Sequence, residues 1–380
     1  MYSNGGLADR RMKLLMLSWR YLGHPAGGGA EVLTHETLAR LVAAGHSATC
    51  FTAAHPSAPA REHIDGVEVI RNGRQWTVHV HAWRWLRRRV DDYDVVIDQI
   101  NTIPFFTPLY VPAERRRFLI FQQAREYWWR QAPGPFKLMA PIGYLAEPHY
   151  LKLYRRTCGM TISDSTRREL EEIGIPLSQV DVIPTALNVD PLDEIGPRSG
   201  PFTVIMLSRL MPAKFVEEGI EAFGLLQGRA PEARLHIVGD GAPSYRARLE
   251  RLVEKRAMRH VVFHGRVDDR TKMRLLAQAH VHLFTSHREG WGLVVSEAAA
   301  VGTPTVAYDA PGVRDSVQDP RMLAPIGDVS GLAERLALLH HDPALWEEVR
   351  AAAWSRAREM SYDNATRLFR ESLERPCAAS

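Results

Sequence analysis

The feature that most constrains this chain is an alternation of short apolar runs with segments of helical spacing, and it occurs twice. Lys13-Leu-Leu-Met-Leu-Ser18 is continuously apolar inside, as parallel strands covered on both faces are. A glycine-rich turn, Gly23 to Gly29, follows. Ala30 to Ala44 then carries Val32, Leu33, Leu38, Leu41 and Val42 on helical spacing and closes at Gly45. Ser47–Thr52 reads as the next strand. Strand, loop, helix and strand in that order build a parallel sheet. Further strands are predicted at Tyr93–Asp98, Arg117–Phe121, Met160–Ser163 and Val180–Ile183, with Asp164 capping a helix through Leu170 that stops at Gly174.

Pro184 to Pro201 is rich in Pro, Gly and Asp and reads as a linker. After it the alternation restarts. Strands are predicted at Phe202–Ser208, Arg234–Val238, Val261–His264, Val281–Thr285 and Thr305–Ala307. Helices are predicted at Glu217–Gln227, Tyr245–Lys255, Thr271–Ala277 and Leu293–Ala300. Leu332 to Phe369 reads as helical. A chain of 380 residues has room for two domains of roughly 150 each. Its 45% hydrophobic content supplies two cores. The expected class is α/β, with two Rossmann-like domains. Residues 1–190 form the first and residues 191–360 the second, and residues 361–380 are a helix packing back on the first.

A formal net charge of +4 is too small to imply nucleic-acid binding by itself. The positive charge is uneven, however. Arg71, Arg74, Arg84, Arg87, Arg88 and Arg89 have no acidic residue among them, and Arg115, Arg116 and Arg117 make a second run. Trp76, Trp83, Trp85, Tyr127, Trp128 and Trp129 lie in the same half. Such a surface can press on an anionic bilayer. The plainer alternative is a solvated basic face with a few packed indoles. A third is that Trp128 and Trp129 stack on a bound ligand.

The three cysteines, Cys50, Cys158 and Cys377, are far apart and odd in number. Neither a disulfide framework nor a zinc site is expected, and a reducing cytoplasm fits. The segment from Met1 to Arg11 is polar, and there is no run of 18 apolar residues that would cross a membrane. The expected location is cytoplasmic, with peripheral contact at the inner face of the membrane left open.

Three constellations carry chemistry. Gly27-Gly-Gly-Ala-Glu31 follows a strand and opens a helix, where backbone can approach a ligand and N–H groups favour a phosphate. It is not the spaced glycine fingerprint of dinucleotide binders, and an ordinary tight turn would look the same. Ser208-Arg-Leu-Met-Pro-Ala-Lys214 places Arg209 and Lys214 at a strand's carboxyl end, where open α/β sheets bind ligands. A forked donor and a point charge together suit a diphosphate. Glu289-Gly-Trp-Gly-Leu-Val-Val-Ser-Glu297 has one carboxylate in a loop and one two turns into a helix, each able to hold sugar or ribose hydroxyls. An isolated glutamate there would be no more than a solvated side chain.

Taken together and in this order, the motifs resemble the retaining glycosyltransferases of family 4, which have the GT-B fold of two Rossmann-like domains facing across a cleft. Ile237-Val-Gly-Asp-Gly241, His264-Gly-Arg266 and Ile183-Pro-Thr-Ala-Leu-Asn-Val-Asp190 also match, and the resemblance spans the chain from about Lys13 to the C-terminal helix. It implies a hexosyl transfer from a nucleotide-diphosphate sugar, UDP- or GDP-linked, to a hydroxyl acceptor. By the same resemblance Arg209 and Lys214 hold the diphosphate, and Glu297 holds the ribose. Glu289 and the Gly290, Trp291, Gly292 and Leu293 segment hold the sugar. Gly265, Arg266 and Val267 meet the base, and Gly28 and Gly29 approach the diphosphate from the other domain. Arg209, Lys214 and Glu289 are the catalytic candidates.

One position departs from the family pattern. Many relatives carry a histidine after the strand that here is Arg117–Phe121, whereas this chain reads Phe121-Gln-Gln-Ala-Arg-Glu126. Gln122 or Gln123 can replace a hydrogen bond but not a titratable group. Gln122, Glu126 and Trp128 are therefore candidates for sugar or acceptor contact.

The implied mechanism keeps the anomeric configuration, uses no metal and no cofactor, and closes the domains to exclude water. No Asp-x-Asp metal motif lies in a suitable loop. The alternatives are another GT-B enzyme such as an epimerase, or a nucleotide-sugar-binding protein without transferase activity. No nucleic-acid partner is expected. The sugar, the base and the acceptor stay open.

Overall fold

The computed structural model describes residues 11–24, 27–125, 128 and 140–377. It divides into two compact units. The first runs to Ala186 and resumes at Tyr362, and the second spans Leu187–Ser361.

The first unit is built on eight strands: β1 (Lys13–Leu17), β2 (Ser47–Thr52), β3 (Arg61–Ile64), β4 (Val67–Arg71), β5 (Val95–Ile100), β6 (Arg116–Ile120), β7 (Gly159–Thr161) and β8 (Val180–Val182). Their order across the sheet is β3-β4-β2-β1-β5-β6-β7-β8. Every pairing is parallel except β3 with β4. The chain winds outward from β1 in one direction, then restarts beside β1 at β5 and winds in the other. The β1/β5 boundary is therefore a topological switch point. The helices are α1 (Gly29–Ala43), α2 (Val78–Leu86), α3 (Ala140–Leu151) and α4 (Asp164–Glu172).

The β3–β4 hairpin and α2 go beyond the alternation read from the sequence. The hairpin turns on Asp65-Gly66, with φ of 49° and 80°, the paired left-handed geometry that an Asp-Gly turn supplies. The predicted cap of α4 moves by one residue. Ser163, not Asp164, accepts the Thr166 N–H at its hydroxyl, because Ser163 has the extended backbone that a cap requires.

The second unit repeats the plan with β9 (Thr203–Leu207), β10 (Arg234–Val238), β11 (Val261–Gly265), β12 (Val281–Phe284), β13 (Thr305–Tyr308) and β14 (Leu323–Ala324), in the order β11-β10-β9-β12-β13-β14. All pairs are parallel, and the switch point lies between β9 and β12. Its helices are α5 (Val216–Gln227), α6 (Pro243–Lys255), α7 (Asp269–Gln278), α8 (Leu293–Ala300), α9 (Val313–Val317), α10 (Val329–His341) and α11 (Pro343–Glu359). The unbroken apolar run of β9 is explained by its two covered faces. Val204 and Met206 pack with Ile220, Phe223 and Leu336, while Ile205 and Leu207 pack with Val238, Leu276 and Ala298.

The single helical stretch expected over Leu332–Phe369 is three helices. Asp342 ends one and caps the next by accepting from Leu345 N at 3.0 Å, and Pro343 starts α11. The third, α12 (Tyr362–Glu374), belongs to the first unit and packs along α1. Arg117, 4% exposed, donates to the carbonyls of Leu373 and Arg375, and Ser372 donates to Asp181.

Beyond α12, and contrary to the expectation from cysteine spacing, Cys158 and Cys377 are disulfide-bonded across 219 residues of sequence, and Cys50 is free and buried. Spacing carries no trace of this pairing, because the chain's return to the first unit brings the two cysteines together.

Candidate functional site

In the second unit the loops at the carboxyl ends of β9, β10 and β11 are stitched to one another. Ser208 N donates to Val238 O at 3.1 Å, Leu210 N to Asp240 O at 2.9 Å, and Gly239 N to Gly265 O at 2.9 Å. Two glycines permit this approach. A Cβ at Gly239 would lie 1.8 Å from Ser208 O, and one at Gly241 would lie 1.9 Å from Leu210 O. The sequence motif around Asp240 therefore owes its glycines to backbone crowding against the Arg209 loop.

Arg209 is exposed on that loop, with no ion pair among the described residues. The loop then makes a short 3-10 turn, Pro212–Lys214, and Phe215 follows in left-handed backbone at φ 50°. Thr285, just past β12, donates its hydroxyl to Lys214 O at 2.8 Å. The Lys214 ammonium and the Glu289 carboxylate form an ion pair, with side chains 15% and 14% exposed. This pair bridges the two loops that flank the switch point. Glu289 is fixed in turn: its N–H donates to Pro311 O at 3.1 Å, and Gly312 at φ 78° leaves room for its carbonyl, which a Cβ there would meet at 2.1 Å. His287 stacks on Phe215 with ring centroids 3.3 Å apart and faces Glu218, which also accepts from Tyr308.

Gly290, Trp291 and Gly292 lead into α8, with Gly292 in left-handed backbone at φ 87° as its cap. The helix start presents its positive dipole end beside Glu289. The Trp291 indole donates to Ser296 Oγ at 2.9 Å and so lies along the first turn of the helix that Leu293 opens. Glu297, one turn further, accepts from Lys272 Nζ at 2.9 Å through Oε1. Its Oε2 is buried with no partner among the described residues. Burial works against the Lys272 charge, but the hydrogen bonds and charges of Glu297 and Asp269 outweigh it and hold the ammonium above the ordinary lysine value. Nothing in the sequence distinguishes Lys272, because a lysine on a polar helix face has no pattern of its own. Arg266 is exposed, and Val267 packs toward Leu207 and Val238.

In the first unit, Gly28 precedes α1 and donates its N–H to Glu31 at 2.6 Å, while Arg20 Nε holds the other Glu31 oxygen at 3.0 Å. Glu31 thus fixes the turn that carries Gly28 and Gly29. After β6, Gln122 is half-buried and Gln123 fully buried. The loop there is pinned by Glu147 of α3, 2% exposed, which accepts from Ala124 N at 2.5 Å, Arg125 N at 2.7 Å and the Trp128 indole at 3.2 Å. Burial raises the Glu147 carboxyl, against the pull of those donors. Trp128, named from sequence as a stacking surface, is thereby tied to the loop's anchor and lies against Gly143. Glu126, Tyr127 and Trp129 lie outside the described residues. Among the described residues no group of three or more His, Cys, Asp or Glu is placed to hold a metal ion.

Cations and carboxylates at the switch point of a doubly wound sheet, beside a helix start, define an α/β ligand-binding enzyme architecture. The comparisons narrow the class. The model for Glycosyltransferase Family 4 matches residues 27–191, and the model for Glycosyl transferases group 1 matches residues 192–360. The chain belongs to this glycosyltransferase family, and it is a glycosyltransferase of GT-B fold. It is 26% identical to the glycogen synthase of Mycobacterium tuberculosis over 91% of this chain and 90% of that one. It is 33% identical to the phosphatidyl-myo-inositol mannosyltransferase of Mycobacterium leprae over 51% of this chain and 52% of that one. Among solved structures, HepE from Anabaena in complex with UDP-glucose superposes with a TM-score of 0.67 at 19% identity, covering 96% of this chain and 99% of that one.

Proposed function

We propose that the protein transfers a hexosyl group, with retention, from a UDP- or GDP-sugar to a hydroxyl of a small-molecule, glycan or lipid-linked acceptor, without a metal. The observation that carries this reading is the Lys214–Glu289 pair at the β9/β12 switch point, beside the start of α8. An ammonium has three N–H groups, so Lys214 can hold Glu289 and still donate to diphosphate oxygens. As the sugar–phosphate bond breaks, negative charge grows on the leaving diphosphate, and Arg209, Lys214 and the α8 dipole stabilise it. That leaving phosphate can take the acceptor's proton on the same face, so Glu289 is assigned to sugar hydroxyls and not to nucleophilic attack. Glu297 is assigned to the ribose, and the Gly265–Val267 segment to the base. HepE was solved with UDP-glucose, which supports a nucleotide-sugar donor.

For the acceptor side we assign the first unit. The outer face of α2 carries exposed Val80, Trp83 and Arg84, with Trp76 before it and Arg87 and Arg88 after it. That composition suits the headgroup layer of an anionic membrane. We therefore place the protein in the cytoplasm with peripheral contact at the membrane's inner face. No helix among the described residues is long and apolar enough to cross a membrane. The Cys158–Cys377 disulfide is the one observation that runs against a reducing compartment. The test is a melting-temperature screen of the full chain against UDP-, GDP-, ADP- and dTDP-sugars, followed by product analysis. Stabilisation by one base class and an α-linked product from an α-linked donor is the expected result. No stabilisation by any of them would sink the proposal.

A further inference from the structure

We propose that Lys272 is a positioning residue of the donor site: it pins one oxygen of Glu297 so that the other is presented to the ribose hydroxyls. The proposal rests on the donor reading above. Lys272 Nζ lies 2.9 Å from Glu297 Oε1, and the two side chains are only 18% and 15% exposed. Its second contact, Asp269 at 3.1 Å, is with a carboxylate almost wholly in solvent. A carboxylate serving only the fold would spend both oxygens on protein donors, as Glu147 does. Glu297 does not: Oε2 is buried and without a partner among the described residues. An acceptor left in that condition is costly unless something else donates to it, and a vicinal diol offers two O–H donors of the required kind.

The ion pair also joins two pieces of the site. Lys272 stands in the first turn of α7, directly after the Gly265–Val267 segment, and Asp268 caps that helix by accepting from Thr271 N at 2.7 Å. Glu297 stands in α8, directly after the Glu289–Gly292 loop. One contact therefore sets the spacing between the segment assigned to the base and the carboxylate assigned to the ribose. A free glutamate would have to lose its rotamer freedom on each binding event. Held by Lys272, it has already lost it.

The test is calorimetry on the full-length protein with UDP, GDP and ADP, their 2′-deoxy and 3′-deoxy forms, and inorganic pyrophosphate. Wild type is expected to bind one nucleoside diphosphate and to bind a deoxy form roughly tenfold more weakly, as loss of a charge-assisted hydrogen bond dictates. Lys272→Met is expected to weaken the nucleoside diphosphate by about tenfold, leave pyrophosphate unchanged and shrink the deoxy penalty to under about twofold. In turnover, the donor KM rises while kcat stays within about threefold, as for loss of binding shared by ground and transition states. Lys272→Arg restores most of the affinity. Equal loss of pyrophosphate and nucleotide in Lys272→Met, or no loss of either, overturns the proposal. So does a wild type that does not distinguish the deoxy forms, a result that needs no variant to fold. A wild type that binds none of the nucleoside diphosphates overturns the donor reading itself and the proposal with it.

Discussion

The two units share one winding plan and use their carboxylates in opposite ways. In the first unit Glu31, Asp98 and Glu147 are buried to 2% exposure or less, and each spends its oxygens on the chain itself. Asp98 accepts from Phe105 N, Thr107 N, the Thr107 hydroxyl and the Tyr154 hydroxyl. Glu31 and Glu147 likewise hold the turns after β1 and β6. In the second unit Glu289 and Glu297 keep 14% and 15% exposure, and each is paired with a lysine. There the loops are held by crowded glycine backbone and strand-end hydrogen bonds, which leaves carboxylates and ammonium groups for a ligand.

The sharpest way to break this contrast is to remove a presented charge. Lys214→Ala should lower transfer by about 10²–10³-fold, the usual effect of losing one donor to a developing oxyanion, while urea denaturation stays close to wild type. Wild-type turnover would end the assignment of the site. The counterpart is Asp98→Ala, which strands four donors in the core of the first unit. It should destabilise that unit by about 3 kcal/mol or more, seen as an earlier urea transition, with the donor affinity of surviving protein unchanged.

The titrating groups extend the comparison. Burial pushes His282 down to about 3 and, with nearby cations, His280 to about 4. A histidine with a depressed folded value stabilises above its ordinary value and loses that contribution as pH falls. The second unit should therefore lose about 3 kcal/mol between pH 6.5 and 4 through His282, and His282→Asn, which takes up no proton, should flatten that acid limb in pH-dependent melts. Asp98 and Glu147, raised by burial, have the opposite sign: their contribution is full in acid and falls as pH rises through the folded value.

A smaller effect is expected at Gly312→Ala. The left-handed backbone and the contact with Glu289 O should cost about 1–3 kcal/mol of strain and shift Glu289, read as a loss of activity larger than the loss of stability. The smallest effect should be that of excess EDTA: activity unchanged within about twofold, since charge stabilisation is assigned to Arg209, Lys214 and the α8 terminus. Strict metal dependence would contradict the mechanism.

Much of the second unit was legible in advance. Its strands β9 to β13 and helices α5 to α8 fall within two residues of the periodicity, because strands covered on both faces, such as β9, are apolar throughout, whereas α9, β14 and the break between α10 and α11 do not show in it. The hairpin β3–β4 was not legible in that way, since Arg61-Glu-His-Ile64 has little apolar content to read. The loop after β6 was harder still. Its anchor, Glu147, sits 23 residues from Ala124 in a helix whose periodicity says nothing about a buried carboxylate.

Local patterns alone determined the class, the double winding and the loops that carry Arg209, Lys214, Glu289 and Glu297, because each depends on residues close in sequence. Only the tertiary structure decided that Lys214 meets Glu289 across 75 residues, that Lys272 meets Glu297, that Glu147 and Asp98 are loop anchors, and that Cys158 finds Cys377. Those contacts arise where strands distant in sequence become neighbours in a sheet or where the last helix returns to the first unit. Burial, which turns an ordinary glutamate or lysine into a partnered one, is a property of that assembly and leaves no mark on the residues themselves.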